Sequence, residues 1–157
     1  MLSERSRQVD SSGIRRVFDL AATLKNPINF SIGQPHFDVP QPVKEAAIEA
    51  IRSGRNRYTQ TQGIAELREK ALAADKARTG APHDAIIITS GASGAIMLAL
   101  MAVLNPGDEV LIPDPYFVMY KHLTVLIGGV PKFVDTYPDF QLKAAEIEKR
   151  ITPRSKV

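Results

Sequence analysis

The segment Thr89-Ser90-Gly91-Ala92-Ser93-Gly94 is where residue types and spacing suit a definite chemistry. It lies between a continuous β-branched apolar run, Ala85 to Thr89, and an apolar stretch, Ala95 to Leu104, that reads as a buried helix. The first amides of a helix have no partner within it, and the helix dipole favours an anion in front of them. Small residues at Gly91, Ala92 and Ser93 let a phosphate come close to the backbone, and Ser93 adds a hydroxyl donor. The same residues also suit a plain βα turn that uses glycine only for its geometry. The turn is not a Walker A loop, because no Gly-Lys-Ser/Thr follows. Its Gly-x-x-Gly spacing is not the dinucleotide fingerprint either.

A second chemistry-bearing segment is Pro113-Asp114-Pro115-Tyr116-Phe117, which follows the apolar run Glu109 to Ile112. If both apolar runs are parallel strands, their carboxyl ends share one rim, and that rim is where open α/β sheets bind ligands. An aromatic there can cover a flat ligand by stacking. Alternatively, Tyr116 and Phe117 anchor the following helix in the core.

The elements that must position these segments follow from periodicity. Residues 12–25 carry Ile14, Val17, Phe18, Ala21 and Leu24 at helical spacing, and Asn26-Pro27 ends that helix. Ile28 to Ile32 reads as extended, and Gly33 to Pro40 as a loop punctuated by Gly and two Pro. Gln41-Pro42 opens a helix with an apolar face of Val43, Ala46, Ala47, Ala50 and Ile51, stopped by Gly54. Arg55 to Gly63 is a loop, and Ile64 to Arg78 a third helix. From Ala85 onward the pattern alternates. Strands at 85–89, 109–112 and 132–134 are separated by helices at 95–104 and 116–127. A helix at 143–150 follows, and Val157 begins another strand. Crossovers of this length require parallel strands joined right-handedly. The expected fold is therefore α/β: a three-layer, mainly parallel sheet with an N-terminal helical and loop segment around it.

Bulk properties agree with a globular chain. Its 157 residues are 44% hydrophobic and 24% charged, with a formal net charge of +3. The pI of about 9.3 hints at anionic ligands. Lys and Arg are nevertheless interspersed with acids, without the basic block of a nucleic-acid arm. There is no cysteine, which excludes disulfides and thiolate chemistry. The first ten residues lack a signal-peptide core, and no apolar stretch approaches a membrane span. The expectation is a cytoplasmic protein that binds neither nucleic acid nor membrane, with no metal site.

Seven segments in register resemble the class I/II (fold-type I) aminotransferases that use pyridoxal 5'-phosphate (PLP). They are Ile32 to Pro40, Arg57 to Ile64, Glu66-Leu67-Arg68, Ile88 to Ala95, Pro106 to Val110 with Pro113 to Phe117, Gly128-Gly129, and Ile151 to Arg154. The resemblance spans nearly the whole chain. It implies that Gly91, Ala92 and Ser93 form the PLP phosphate cup and that Phe117 stacks on the pyridine ring. It implies that Tyr58 reaches the phosphate of the neighbouring subunit's PLP, hence a homodimer, and that Gly33 lies against the substrate. Residues 1–40 would be an N-terminal arm and small-domain segment, and 41–157 an incomplete PLP-binding large domain. The implied activity moves an amino group between an amino acid and a 2-oxo acid. Departures from the family are large. Its Schiff-base lysine lies beyond the C-terminus, and none of the nine lysines present stands in a matching context. The chain alone is therefore expected to be inactive. A β-lyase or decarboxylase on the same cofactor, or a non-catalytic dimerisation or regulatory module, are the alternative readings.

Overall fold

The computed structural model describes residues 1–9, 13–28, 30, 33 and 35–157, leaving aside the side chains of Ile14 and Arg15. The element order is α1 (Glu4–Arg7), α2 (Gly13–Ala21), α3 (Gln41–Arg52), α4 (Ala65–Thr79), α5 (Gly91–Val103), β1 (Glu109–Asp114), α6 (Val118–Leu126), β2 (Val130–Asp135) and α7 (Ala144–Glu148). The chain forms two compact units. One comprises Met1–Asn26 with Ser90–Val157, and the other Pro27–Thr89.

In the first unit β1 and β2 pair in parallel, from Glu109 beside Val130 to Asp114 beside Asp135. The other edge of β1 takes up the end of the chain. Glu109 N donates to Arg154 O at 2.8 Å, Lys156 N to Glu109 O at 2.9 Å, and Leu111 N to Val157 O at 2.7 Å. Ser155 thereby bridges Glu109 in parallel, as expected for a strand beginning there. Alternation puts Val110 and Ile112 on one face of β1, where they form the core with Leu100 of α5 and Leu123 of α6. Ile112 is 1% exposed. Arg5 in α1 ties the N-terminus to this unit by donating to Leu126 O at 3.1 Å.

The connection from α6 to β2 turns on Gly128, whose φ of 87° favours glycine. Gly129 beside it is required for space. A Cβ there would stand 3.0 Å from Thr124 Cγ2 and 3.2 Å from Thr124 O.

In the second unit α3 starts with Pro42 in its first turn, and α4 ends at Gly80 in the left-handed conformation. Neither helix contains a buried residue, so the apolar face expected of α3 is largely exposed; Val43 and Ile51 are examples.

Three local expectations are corrected. The run 85–89 is not a strand. It belongs to the second unit, whereas β1 and β2 belong to the first, and among the described residues of its own unit no strand pairs with it. Ile88 N donates instead to Gln62 O at 3.0 Å. Helix α5 begins at Gly91 rather than Ala95, so the small residues are its first turn and not a turn before it. Nor is α5 buried all round: Leu100 packs inward, while Leu98, Met101 and Val103 are exposed. The helix α1 was not foreseen; Ser3 caps it, accepting from Ser6 N at 3.2 Å. The extended run expected at 28–32 falls largely outside the described residues, as do Ser12 and Gln34.

Candidate functional site

The first turn of α5 is built from Gly91, Ala92 and Ser93. Ser90 is the N-cap but makes no side-chain cap bond, so it does not occupy the first-turn amides. Gly91 has φ +71°, and nothing lies within 4 Å of where a Cβ would stand. Gly91 and Ala92 are exposed and Ser93 is half-buried. This corner is open, made of small residues, and faced by the positive end of a 13-residue helix. Its chemistry suits an anion with several acceptor oxygens.

The direction of α5 follows from its other end. Leu104 and Pro106, just past the helix, are the neighbours of Gly129 and Gly128 at the start of β2. Asp108 O accepts from Val130 N at 2.8 Å there. Helix α5 therefore ends at the amino ends of the strands. Thirteen helical residues and six strand residues each span about 20 Å. Because Ile96 and Leu100 pack along Val110 and Ile112, the first turn of α5 lies toward the carboxyl end of β1.

That end carries Phe117, the N-cap of α6. Phe117 is 47% exposed, and its ring meets that of Tyr120 edge-on at 5.7 Å. The neighbouring Tyr116 turns inward and stacks on Phe133 at 4.8 Å. The two aromatics thus divide the roles left open by the sequence: Tyr116 anchors the core, and Phe117 stands at the rim. Thr136 braces this rim, donating to Asp114 O from its N at 3.0 Å and from its Oγ1 at 2.7 Å.

Gly33 and Tyr58 lie in the other unit. Both are exposed; Tyr58 is as exposed as in a free chain, at 107%. Tyr58 sits in the loop between α3 and α4, which is fastened at its far end. Arg68 Nε donates to Gly63 O at 3.1 Å, and Arg68 NH2 donates to Gln60 Oε1 at 3.2 Å.

One charged centre was not foreseen. Glu109, fully buried at the start of β1, accepts from Thr152 Oγ1 at 2.6 Å and from Ser155 Oγ at 3.3 Å. Arg154 at 3.3 Å and Lys132 at 3.5 Å face it as cations. The Thr152 hydrogen bond is the main cause holding the Glu109 carboxyl below the usual carboxylate range. Burial opposes it, and Lys132, Ser155 and Arg154 reinforce it. The available signal was an acid opening a strand expected to be buried. Among the described residues, no helix is long and apolar enough to cross a membrane.

A parallel α/β unit with a helix N-terminus and an aromatic on the same rim is the arrangement in which open α/β sheets place ligand sites, and comparison narrows the class. The model of the family "Aminotransferase class I and II" matches residues 25–157. Aromatic-amino-acid aminotransferase 2 of Thermococcus litoralis is 40% identical over 160 residues, covering 99% of this chain and 41% of that protein. Aspartate aminotransferase of Pyrococcus abyssi is 39% identical, with coverage of 99% and 41%. Among solved structures, Pyrococcus protein-A1 superposes with a TM-score of 0.93 at 40% identity, covering 99% of this chain and 41% of that one. The aspartate aminotransferase of Thermus thermophilus with maleate gives 0.90 at 31% identity, with coverage of 99% and 43%. The chain belongs to the class I and II aminotransferase family, and it spans about two fifths of the length of these relatives.

Proposed function

We propose that this chain supplies the cofactor-phosphate site and ring-stacking surface of a PLP-dependent aminotransferase, which moves an amino group between an amino acid and a 2-oxo acid. One observation carries the reading. The first turn of α5 is open, uncapped by Ser90 and built of small residues, at the end of β1 where Phe117 stands. These residues fit the phosphate of PLP. The first turn at Gly91, Ala92 and Ser93, with the Ser93 hydroxyl, holds the dianion, and the half-exposed Phe117 covers the pyridine face. When bound, the cofactor supplies an electron sink for negative charge at the substrate Cα.

The remaining assignments rest on the resemblance. Tyr58 reaches the phosphate bound by a neighbouring subunit, so the enzyme acts as a homodimer, in the cytoplasm. Gly33 lies against the substrate. Residues 1–40 act as arm and small-domain segment, and 41–157 as part of the large domain. The relatives from Thermococcus litoralis, Pyrococcus abyssi and Thermus thermophilus are named as aminotransferases, which favours amino transfer over lyase or decarboxylase chemistry.

None of the nine lysines stands in the family's lysine context, so the 157-residue chain alone should be silent in a transamination assay. It should still bind PLP. Titration followed by PLP absorbance should show saturable binding that Gly91→Val weakens at least tenfold, because a β-branched residue is strained at φ +71°. Equal affinity of the Gly91→Val chain would overturn the assignment.

A further inference from the structure

The loop that carries Tyr58 holds a second group whose chemistry is unused. Asn56, Arg57, Tyr58 and Thr59 line a concavity of about 660 Å³. All four side chains carry hydrogen-bond donors, and among the described residues no carboxylate lines it. The arginines around the loop differ in their engagement. Arg55 faces Glu66 at 3.7 Å. Arg68 is held by Gly63 O and Gln60. Arg57 pairs with no acid among the described residues. It also borders a smaller neighbouring hollow of about 240 Å³ that contains Glu66, the acid already facing Arg55. An unpaired guanidinium beside a fully exposed phenol is a poor arrangement for stability alone. Its fork matches the oxygens of a phosphate two at a time, and the phenol adds a third donor.

We infer that Arg57 acts with Tyr58 as a phosphate ligand contributed across the dimer, meeting the phosphate monoester that a second copy holds at its own α5 turn. This rests on the proposed function and extends it to a residue of this chain that the motif resemblance does not assign.

The test uses the 157-residue chain, with PLP and inorganic phosphate as probes. Arg57→Gln should weaken PLP binding about tenfold or more, the scale of one charge-assisted bond. It should leave binding of pyridoxal, which lacks the phosphate, unchanged. Arg57→Lys should fall between, keeping the charge but not the fork. An equimolar mixture of Arg57→Gln and Gly91→Val chains should regain sites of wild-type affinity, because an intact turn then meets an intact Arg57 from the other chain. Unchanged PLP affinity in Arg57→Gln, with Gly91→Val impaired, would overturn the Arg57 role and leave the proposed function standing. Failure of the mixture to regain affinity would overturn the arrangement across two copies. Binding of inorganic phosphate that requires Arg57 but survives Gly91→Val would assign Arg57 a free-phosphate site instead and overturn the shared one. No PLP binding by the wild-type chain would remove both readings.

Discussion

Replacing Gly63 with alanine tests whether the Tyr58 loop is positioned by the 85–89 run. Gly63 has φ +98°, where an L side chain is strained. Its Cβ would also stand 2.7 Å from Ile88 Cγ1 and 2.8 Å from Ile88 Cβ. The second distance decides the outcome: Cβ is fixed to the backbone, so no rotamer change of Ile88 relieves it. Backbone strain of this kind costs about 1–2 kcal/mol, and overpacking adds about 1–3 kcal/mol. Gly54 is the internal control. It has φ +75° with nothing within 4 Å, so Gly54→Ala should lose only the strain, about 1 kcal/mol.

Urea denaturation followed by circular dichroism measures both variants. Exchange of the Ile88 amide, which donates to Gln62 O at 3.0 Å, reports the latch itself. Gly63→Ala should be the less stable of the two and should speed that exchange; Gly54→Ala should not. Trimming Ile88 to alanine removes Cγ1 but leaves Cβ, so it should rescue Gly63→Ala only in part. Equal destabilisation by the two glycine variants, with Ile88 exchange unchanged in both, would refute the steric argument.

Three further outcomes follow from the first unit. Gly129→Ala brings no φ penalty but meets Thr124 Cγ2 at 3.0 Å and Thr124 O at 3.2 Å. It should cost about 1–3 kcal/mol, visible as a lower thermal midpoint. Phe117→Ala should barely change stability, since the ring is half-exposed and makes no cap bond, while PLP affinity measured by titration falls severalfold to about tenfold. Glu109 has a carboxyl pKa lowered on folding, so its contribution is complete above the ordinary carboxylate value. That contribution is lost as pH falls through the lowered one. Acid titration of stability should therefore steepen below the ordinary value in the wild type, and Glu109→Gln should flatten that part of the curve.

What could be read from the sequence divides along a physical line. Features fixed by local chemistry were legible: the helix stop at Gly54 adopts positive φ, and β1, β2 and α6 lie close to where the apolar runs put them. Features that depend on what a run packs against were not. The residues Ala85 to Thr89 have the composition of a central strand, but a strand exists only beside another, and among the described residues of its unit none runs beside this one. The same holds for α5, whose sequence is apolar on every side while the unit buries it chiefly through Leu100.

The candidate site splits in the same way. The small-residue turn was legible as an entry to a helix because it is made of backbone chemistry, small residues and a glycine where only glycine is relaxed, although the helix begins at Gly91 rather than Ala95. The separate fates of Tyr116 and Phe117 were not legible, because adjacent aromatics are indistinguishable until the partner ring of Phe133 is known. Glu109 was hidden for the opposite reason. An acid at the head of a buried strand looks like an exposed edge charge until Thr152, Arg154 and Ser155 arrive more than forty residues later to enclose it. Sequence thus reveals a site to the extent that the site is made by its own backbone, and conceals it to the extent that distant side chains complete it.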